Sequence, residues 1–484
     1  MNKSELKRIV ILMAGLIALF LGAIIYLSYF YIFEADTVRN HPSNRRGYIE
    51  EAQIKRGDIY DRNGELLATS KGEPGHYHRE YSYPILYSHI IGYSHPSLGK
   101  SGLEASRNDD LLNRNSNRAI VLISNWLSNK KQDGNSLILT IDTQVQSKAR
   151  EILEENAERG SIVVMNPKTG EVYAMVSLPD FNAMSVAEDW NSLQENKAGA
   201  LLNRSINGRY PPGSTFKVIT AASISILEGN MDLSYEDKGI QTIDGRDFKN
   251  AEGAVYGNVD LKDAMTHSVN TYFVSKGAAL GKEKLGSTAD QFYFNKKIPF
   301  DLPVSPSVFD YKKNIPKTTL AASAIGQGDV LVTPLHMAMV ASAVANDGKM
   351  MEPILVREVE DPKGKSIRKH DAKVLQESIG EETAKTLNEY MISVVENGTG
   401  KRAAMRRTKV AGKTGTAENA SGENHAWFIG YAPANDPQVA VSVIVEQAGR
   451  SGGSIAAPMA RDIMAYALNN IDFSQTLEKE SGDE

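Results

Sequence analysis

The hydrophobic pattern changes character along the chain. From Ile9 to Phe33 no charged residue occurs, a run of roughly 25 residues that lets a helix cross a ~30 Å hydrocarbon layer with some tilt. Lys3, Lys7 and Arg8 precede it, and Glu34 and Asp36 follow. The positive-inside rule therefore keeps residues 1–8 in the cytoplasm and sends everything after Phe33 outside. A cleaved signal peptide would have an apolar core of about 7–15 residues ending in small side chains. This run is longer and ends in Tyr31-Ile-Phe-Glu34. We expect an uncleaved anchor over 9–33 and a single pass through the plasma membrane.

After the anchor the pattern shortens. Residues 34–135 read as a small, polar, mixed domain. Lys55 to Ala68 carries two short strands around an Asn63-Gly64 turn, the tract from Gly72 to Pro96 is irregular, and Asp109 to Leu127 has helical character. Residues 136–470 read differently. Leu137 to Asp142 is a strand, and Asp142 sits where a helix over Val145–Ala157 would be N-capped. Ser161–Met165 and Glu171–Ser177 are strands around an Asn-Pro-Lys-Thr-Gly turn. Helical patterns run from Phe216 to about Leu285 and from Pro334 to Asn346. Strands return at 407–412, 424–431 and 438–446, and a helix closes over Ala457–Asn469. Strand and helix at both ends of a helical middle predict one α+β domain whose sheet is assembled from distant parts of the chain. Residues 471–484 are acid-rich and read as a solvated tail. No repeat of 20–50 residues occurs, which argues against a solenoid.

Composition narrows the chemistry. The chain has 484 residues and a formal net charge of -5, with 54 basic against 59 acidic side chains. Nucleic acid is not expected as a partner, because phosphate binding needs a basic surplus. Cysteine is absent. That excludes disulfides, thiol nucleophiles and cysteine-held metals, and no His-x-x-x-His or aspartate cluster suggests any other metal. No cofactor is expected.

The most informative line is Tyr210-Pro-Pro-Gly-Ser214-Thr-Phe-Lys217-Val-Ile. Pro211, Pro212 and Gly213 do not belong inside a helix and the apolar run after them does, so Ser214 falls at a helix start. Its bland role is an N-cap worth ~1 kcal/mol. Lys217, at i+3, shares its face. A serine hydroxyl becomes a nucleophile when a base takes its proton, and a lysine is such a base only when burial or a nearby cation keeps it neutral. Acidic side chains suit a first helical turn better than lysine does. The bare spacing is weak, since Ser97…Lys100 and Ser366…Lys369 share it.

Two further elements strengthen it. Ser268-Val-Asn270 supplies a hydroxyl to relay a proton and a carboxamide to bind an amide, although Ser205-Ile-Asn207 has the same form. Gly412-Lys413-Thr414-Gly415-Thr416 supplies a positive charge, hydroxyls that suit a carboxylate, and glycines that let another backbone approach, as an edge strand binding an extended peptide requires. Lys168-Thr-Gly170 is a decoy that reads as a turn. A phosphate loop would need glycine at 407, where Arg407 stands. His267 and His425 lie near these motifs without an evident task, and Trp427 reads as packing.

Order and spacing are the specific signal. Ser268 lies about 54 residues after Ser214, and Lys413 about 145 further on, as in serine acyl-transferases of the S-x-x-K, S-x-N, K-T-G kind. With these motifs the sequence resembles the class B penicillin-binding proteins, membrane-anchored peptidoglycan D,D-transpeptidases. The likeness extends to residues 55–68, Gly102-Leu-Glu104, Ile325-Gly-Gln-Gly-Asp329 with Thr333-Pro334, His425 to Gly430, and Ala457-Pro458.

The resemblance implies the roles. Ser214 is the nucleophile acylated at D-Ala-D-Ala and by β-lactams, Lys217 its base, and Ser268 the proton shuttle. Asn270, Lys413, Thr414, Gly415 and Thr416 bind substrate, with the backbone amides of Ser214 and Thr416 as oxyanion hole. Implied partners are peptidoglycan stem peptides, β-lactams, the cell membrane, and a membrane glycosyltransferase meeting the anchor and residues 34–135. Two other classes use the same motifs. A β-lactamase would need a device for hydrolysing the acyl-enzyme, and the anchor and extra domain are superfluous to it. A β-lactam sensor or idle scaffold would need a cytoplasmic output, or would not need all three motifs.

Overall fold

The computed structural model describes residues 3–34, 51–114, 133–226, 232–419 and 422–475. A helix over Lys3–Tyr29 continues as a short π-turn through Phe30–Glu34. Its Leu6–Tyr29 stretch is long and apolar enough to span a membrane and is left unburied by the other described residues. That is what a lipid-facing segment requires, since an apolar surface left in water has no compensation.

The strands in chain order are β1 (Ile59–Tyr60), β2 (Leu66–Lys71), β3 (His78–Tyr81), β4 (Ser94–His95), β5 (Gly99–Lys100), β6 (Ser136–Leu139), β7 (Gly160–Met165), β8 (Val172–Leu178), β9 (Tyr235–Asp237), β10 (Ile240–Ile243), β11 (Arg246–Lys249), β12 (Gly257–Val259), β13 (Lys349–Met351), β14 (Val356–Glu360), β15 (Ser366–Lys369), β16 (Val374–Glu377), β17 (Ala411–Ala417), β18 (His425–Ala432) and β19 (Val439–Val445). The central sheet is antiparallel with order β17-β18-β19-β7-β8. Strands β7, β8, β18 and β19 are buried along their whole length. One face packs on the helices Thr143–Asn156 and Ala456–Asn470 through Val145, Ile152, Leu153, Ile463 and Met464. The other packs on the helix Pro334–Ala345, itself buried all round. Each aliphatic side chain so buried contributes ~1.5–3 kcal/mol. The layers match the expected α+β class. Asp142 caps its helix as anticipated, accepting from the amides of Gln144 and Val145.

Several local expectations are corrected. The stretch read as helical from Phe216 to Leu285 is helical over Lys217–Ile226, Leu261–His267, Asn270–Leu280 and the start of Lys282–Gln291, but strands β9–β12 lie between the first two. The third-motif strand runs over 411–417 rather than 407–412, so Lys413-Thr-Gly-Thr416 lies inside it. Where a helix was expected over Asp109–Leu127, a short helix Asn108–Leu111 ends in a turn, and residues beyond 114 there lie outside the described residues. The tail begins packed rather than solvated. Ile471 is buried, the Phe473 ring meets Tyr173 edge-on at 6.1 Å, and Arg62 donates to the Asp472 carbonyl. The remainder of the tail, from 476, lies outside the described residues.

A second sheet has order β15-β14-β6-β1-β2-β3. Its first half comes from 34–135, but β6, β14 and β15 come from 136–470. β6 pairs in parallel with β1 and antiparallel with β14. The two units are therefore interleaved at a shared sheet. Glu104, fully buried, accepts from Arg56 at 2.9 Å and from Arg79 at 2.5 Å, tying the segment after β5 to both.

Candidate active site

The chain reaches the site through Tyr210-Pro211-Pro212. At Gly213 the backbone takes a positive φ of 53°, open to glycine at little cost. A single 3-10 turn, Gly213–Phe216, runs directly into the helix Lys217–Ile226. Ser214 is not the cap of this helix. The cap position is Pro212 and no side chain caps the turn, so the hydroxyl does no such structural work. Ser214 is half-buried, and no hydrogen bond within the chain engages its Oγ among the described residues.

Lys217 is completely buried. Its Nζ donates to Asn270 Oδ1 at 2.7 Å, to the Ser268 carbonyl at 2.8 Å and to Ser268 Oγ at 3.1 Å. The Phe273 ring lies 5.3 Å away. Lys413, also completely buried, donates to the same Ser268 Oγ at 3.0 Å and to the Thr414 carbonyl at 3.1 Å. One hydroxyl thus bridges two amines. In the ammonium form of Lys217 both amines donate to it; a neutral Lys217 has two hydrogens for three partners, so the Ser268 hydroxyl then donates its own hydrogen to the Lys217 lone pair while still accepting from Lys413.

Ser268 ends the helix Leu261–His267 in the left-handed region, at φ 57° and ψ 44°. Such a conformation is uncommon for a non-glycine residue and costs of order 1–3 kcal/mol where the surroundings impose it. Val269 and Asn270 then open the next helix, Asn270–Leu280. The change of direction lets side chains two apart in sequence both reach Lys217, which a continuous helix would forbid.

Among the described residues no carboxylate pairs with either amine. Burial first, and the Lys413 charge second, hold Lys217 well below the usual lysine range. Burial alone brings Lys413 down to about 7. A lysine kept uncharged in this way is a competent base.

Strand β17 is the edge of the central sheet and lies against the nucleophile turn. A Cβ on Gly213 would sit 2.5 Å from the Thr416 carbonyl oxygen, and one on Gly415 would sit 2.8 Å from that of Pro212. Glycine at both places permits the contact. Thr416 is exposed and its Oγ1 accepts from the Gly452 amide at 3.3 Å, whereas Thr414 shares a 2.6 Å hydroxyl bond with Thr399. The fold therefore gathers all the residues singled out from the sequence at one place. The Ser214 amide, in a first turn, has no helical acceptor, and the Thr416 amide belongs to an edge strand.

Other participants take roles that the sequence reading did not give them. Gly326 accepts from the Gly213 amide at 2.9 Å, and a Cβ on it would meet the Gly213 carbonyl at 2.0 Å. The indole of Trp427, wholly buried as expected, donates to the Pro211 carbonyl at 3.0 Å. Tyr210 and Arg204 converge on Glu446 at 2.6 and 2.7 Å. The family-like stretches 325–329 and 425–430 mark Gly326 and Trp427, and Tyr210 opens the serine line, whereas Arg204 and Glu446 carry no signal. His267 stacks on Tyr256 at 5.3 Å, and His425 Nδ1 accepts from the Gln447 amide. The Lys168-Thr-Gly170 decoy is a turn whose lysine pairs with Asp436.

A half-buried serine, two buried amines and an open edge strand define a serine acyl-transferase site of the penicillin-recognising kind. The model of the penicillin-binding protein transpeptidase domain matches residues 160–465, and that of the penicillin-binding protein A dimerisation domain matches residues 56–137. The chain belongs to the penicillin-binding protein transpeptidase family. It is 33% identical to the peptidoglycan D,D-transpeptidase PbpA of Mycolicibacterium smegmatis, over 97% of this chain and 99% of that one. It is 31% identical to the D,D-transpeptidase MrdA of Acinetobacter baumannii, over 81% and 66%. Among solved structures, penicillin-binding protein A of Mycobacterium tuberculosis as its ceftriaxone acyl-enzyme superposes with a TM-score of 0.80 at 29% identity, covering 87% of this chain and 100% of that one. The D,D-transpeptidase domain of an Eggerthella lenta protein gives 0.78 at 34%, covering 86% and 99%.

Proposed function

We propose that this protein is a serine peptidoglycan D,D-transpeptidase, with Ser214 forming the acyl-enzyme at D-Ala-D-Ala. Neutral Lys217 takes the Ser214 proton as Oγ attacks the penultimate carbonyl. The amides of Ser214 and Thr416 receive the developing oxyanion, an interaction whose loss costs ~10²–10³ in rate. Ser268 passes a proton from Lys217 to the departing amine, and D-alanine leaves. Lys413, Thr414 and Thr416 hold the terminal carboxylate. Gly415 keeps the edge strand close to the turn, and Asn270 meets the donor peptide. An amine of a neighbouring stem peptide then takes the acyl group, giving the crosslink. β-Lactams acylate Ser214 as substrate mimics.

The observation that carries this reading is the Ser268 hydroxyl, bonded by two buried lysines, one of them at i+3 from a half-buried Ser214 whose Oγ has no hydrogen bond among the described residues. The N-terminal helix anchors the chain, the basic residues before it keep that end cytoplasmic, and catalysis lies outside. The anchor and residues 34–135 meet a membrane glycosyltransferase that supplies glycan strands. The test is covalent labelling by a fluorescent penicillin together with turnover of a D-Ala-D-Ala thioester. Both are expected in the native protein and absent in Ser214→Ala, and retained labelling in that variant refutes the assignment.

A further inference from the structure

Asn270 makes two contacts that together decide its orientation. Its Oδ1 accepts from Lys217 Nζ, and its Nδ2 donates to the Lys249 carbonyl at 2.9 Å. An ammonium or amine donor on one side and a carbonyl on the other leave one way for a carboxamide to lie. What holds the Lys249 carbonyl in place therefore matters to the site.

That holder is a buried carboxylate outside all three motifs. Asp237, at the end of β9, accepts four hydrogen bonds, two on each oxygen. Oδ1 receives the Gly239 amide at 2.9 Å and Thr271 Oγ1 at 2.7 Å. Oδ2 receives Asn250 Nδ2 at 2.8 Å and the Tyr256 amide at 2.8 Å. All its lone-pair directions are filled, and all the donors are neutral. Asn250, directly after Lys249, turns its own Oδ1 to the Thr271 amide at 3.2 Å. It thus caps from a distance the helix Asn270–Leu280, whose local cap position, Val269, has no side chain to do so. Both Asp237 and Asn250 are buried, which makes their bonds costly to lose.

We propose that Asp237 is a positioning residue for the acyl transfer, locking Asn250 and the Lys249 carbonyl so that the Asn270 carboxamide presents its oxygen to Lys217. It touches no reacting atom. An asparagine at 237 would set its own amide hydrogens against two of the four donors. The β11 end would then shift, and the Asn270 amide would lose its anchor.

This inference rests on the proposed acyl transfer, and the experiment separates the two. Full-length native protein, Asp237→Asn, Asn270→Ala and the double variant are compared for acylation rate by fluorescent penicillin, normalised to folded protein by circular dichroism. Asp237→Asn alone is expected to slow acylation about tenfold, and to slow it by less than about twofold further in the Asn270→Ala background, the non-additivity of residues acting through one path. A purely structural carboxylate would lower the melting temperature in both backgrounds and leave the rate effects multiplicative. Native-like acylation in folded Asp237→Asn, or a full tenfold loss added to Asn270→Ala, overturns the proposal. If Asp237→Asn does not fold, Thr271→Val, which removes a single donor, is carried through the same cycle and judged by the same two criteria. Failure of the native protein to label at all would strike the acyl-transfer reading itself.

Discussion

At the scale of single residues, the two buried amines set the pH response. The Lys413 charge contributes to the depression of Lys217. Lys413→Met removes that charge, so the Lys217 amine becomes more basic. Because the neutral amine is the base, the acid limb of the acylation rate is expected to move to higher pH, read from penicillin acylation across a pH series. Stability follows from the same shift. Lys413 falls from 10.5 to about 7 on folding. Between those values the unfolded chain binds more protons than the native one, so native stability rises with pH through that window. Urea unfolding from pH 7 to 10 is expected to show a steeper rise in the native protein than in Lys413→Met. Ser268→Ala deprives both amines of their common acceptor. It is expected to cut acylation by about 10²-fold, within the range for a positioned proton-transfer group, with labelling kinetics as the measure.

At the scale of elements, the site depends on close approaches between backbones. Gly326→Ala would drive a Cβ to within 2.0 Å of the Gly213 carbonyl, at a position whose φ is 73°. The nucleophile turn is expected to move and acylation to fall about 10²-fold, the typical effect of a misplacement near 1 Å. Far-UV circular dichroism should stay native. This level was only partly legible in the sequence. Ser214, Lys217, Ser268, Asn270 and the Lys413–Thr416 segment announce themselves because their chemistry and spacing survive without coordinates. Their supports do not. Strands β9–β12 are three or four residues each, too short for an alternating pattern to emerge, and they vanished into a helical reading. Glycine weakens the strand signal of Ala411–Ala417, which pulled its expected position toward the residues before it. Asp237 has no sequence signature, since its four donors come from one helix and three connecting stretches that cannot be paired by inspection.

At the scale of the whole molecule, the shared sheet governs what can be separated. A cut at 135/136 strips β1 from β6 and leaves β6, β14 and β15 as the remnant of a six-stranded sheet. Fragment 136–475 is expected to aggregate or melt well below fragment 51–475, because a bare edge seeks other partners. Size-exclusion chromatography and thermal melting compare them. Glu104 gives a second test. Its burial raises the carboxyl's affinity for protons, but Arg79 and Arg56 outweigh that and hold it below the usual range. Glu104→Gln would leave two buried guanidiniums without their anion. A loss of about 3–5 kcal/mol is expected, read by denaturant unfolding. The N-terminal apolar helix, by contrast, was fully visible beforehand, because an uninterrupted apolar run needs no tertiary context to be recognised.

The interleaving also constrains inheritance. Strands β14 and β15 are encoded far downstream of β1–β3, yet complete their sheet. Gene exchange confined to the opening third of the reading frame would set the resident β14 against an unfamiliar β6. Mosaics that import both stretches together are therefore expected to melt higher than those that import one alone.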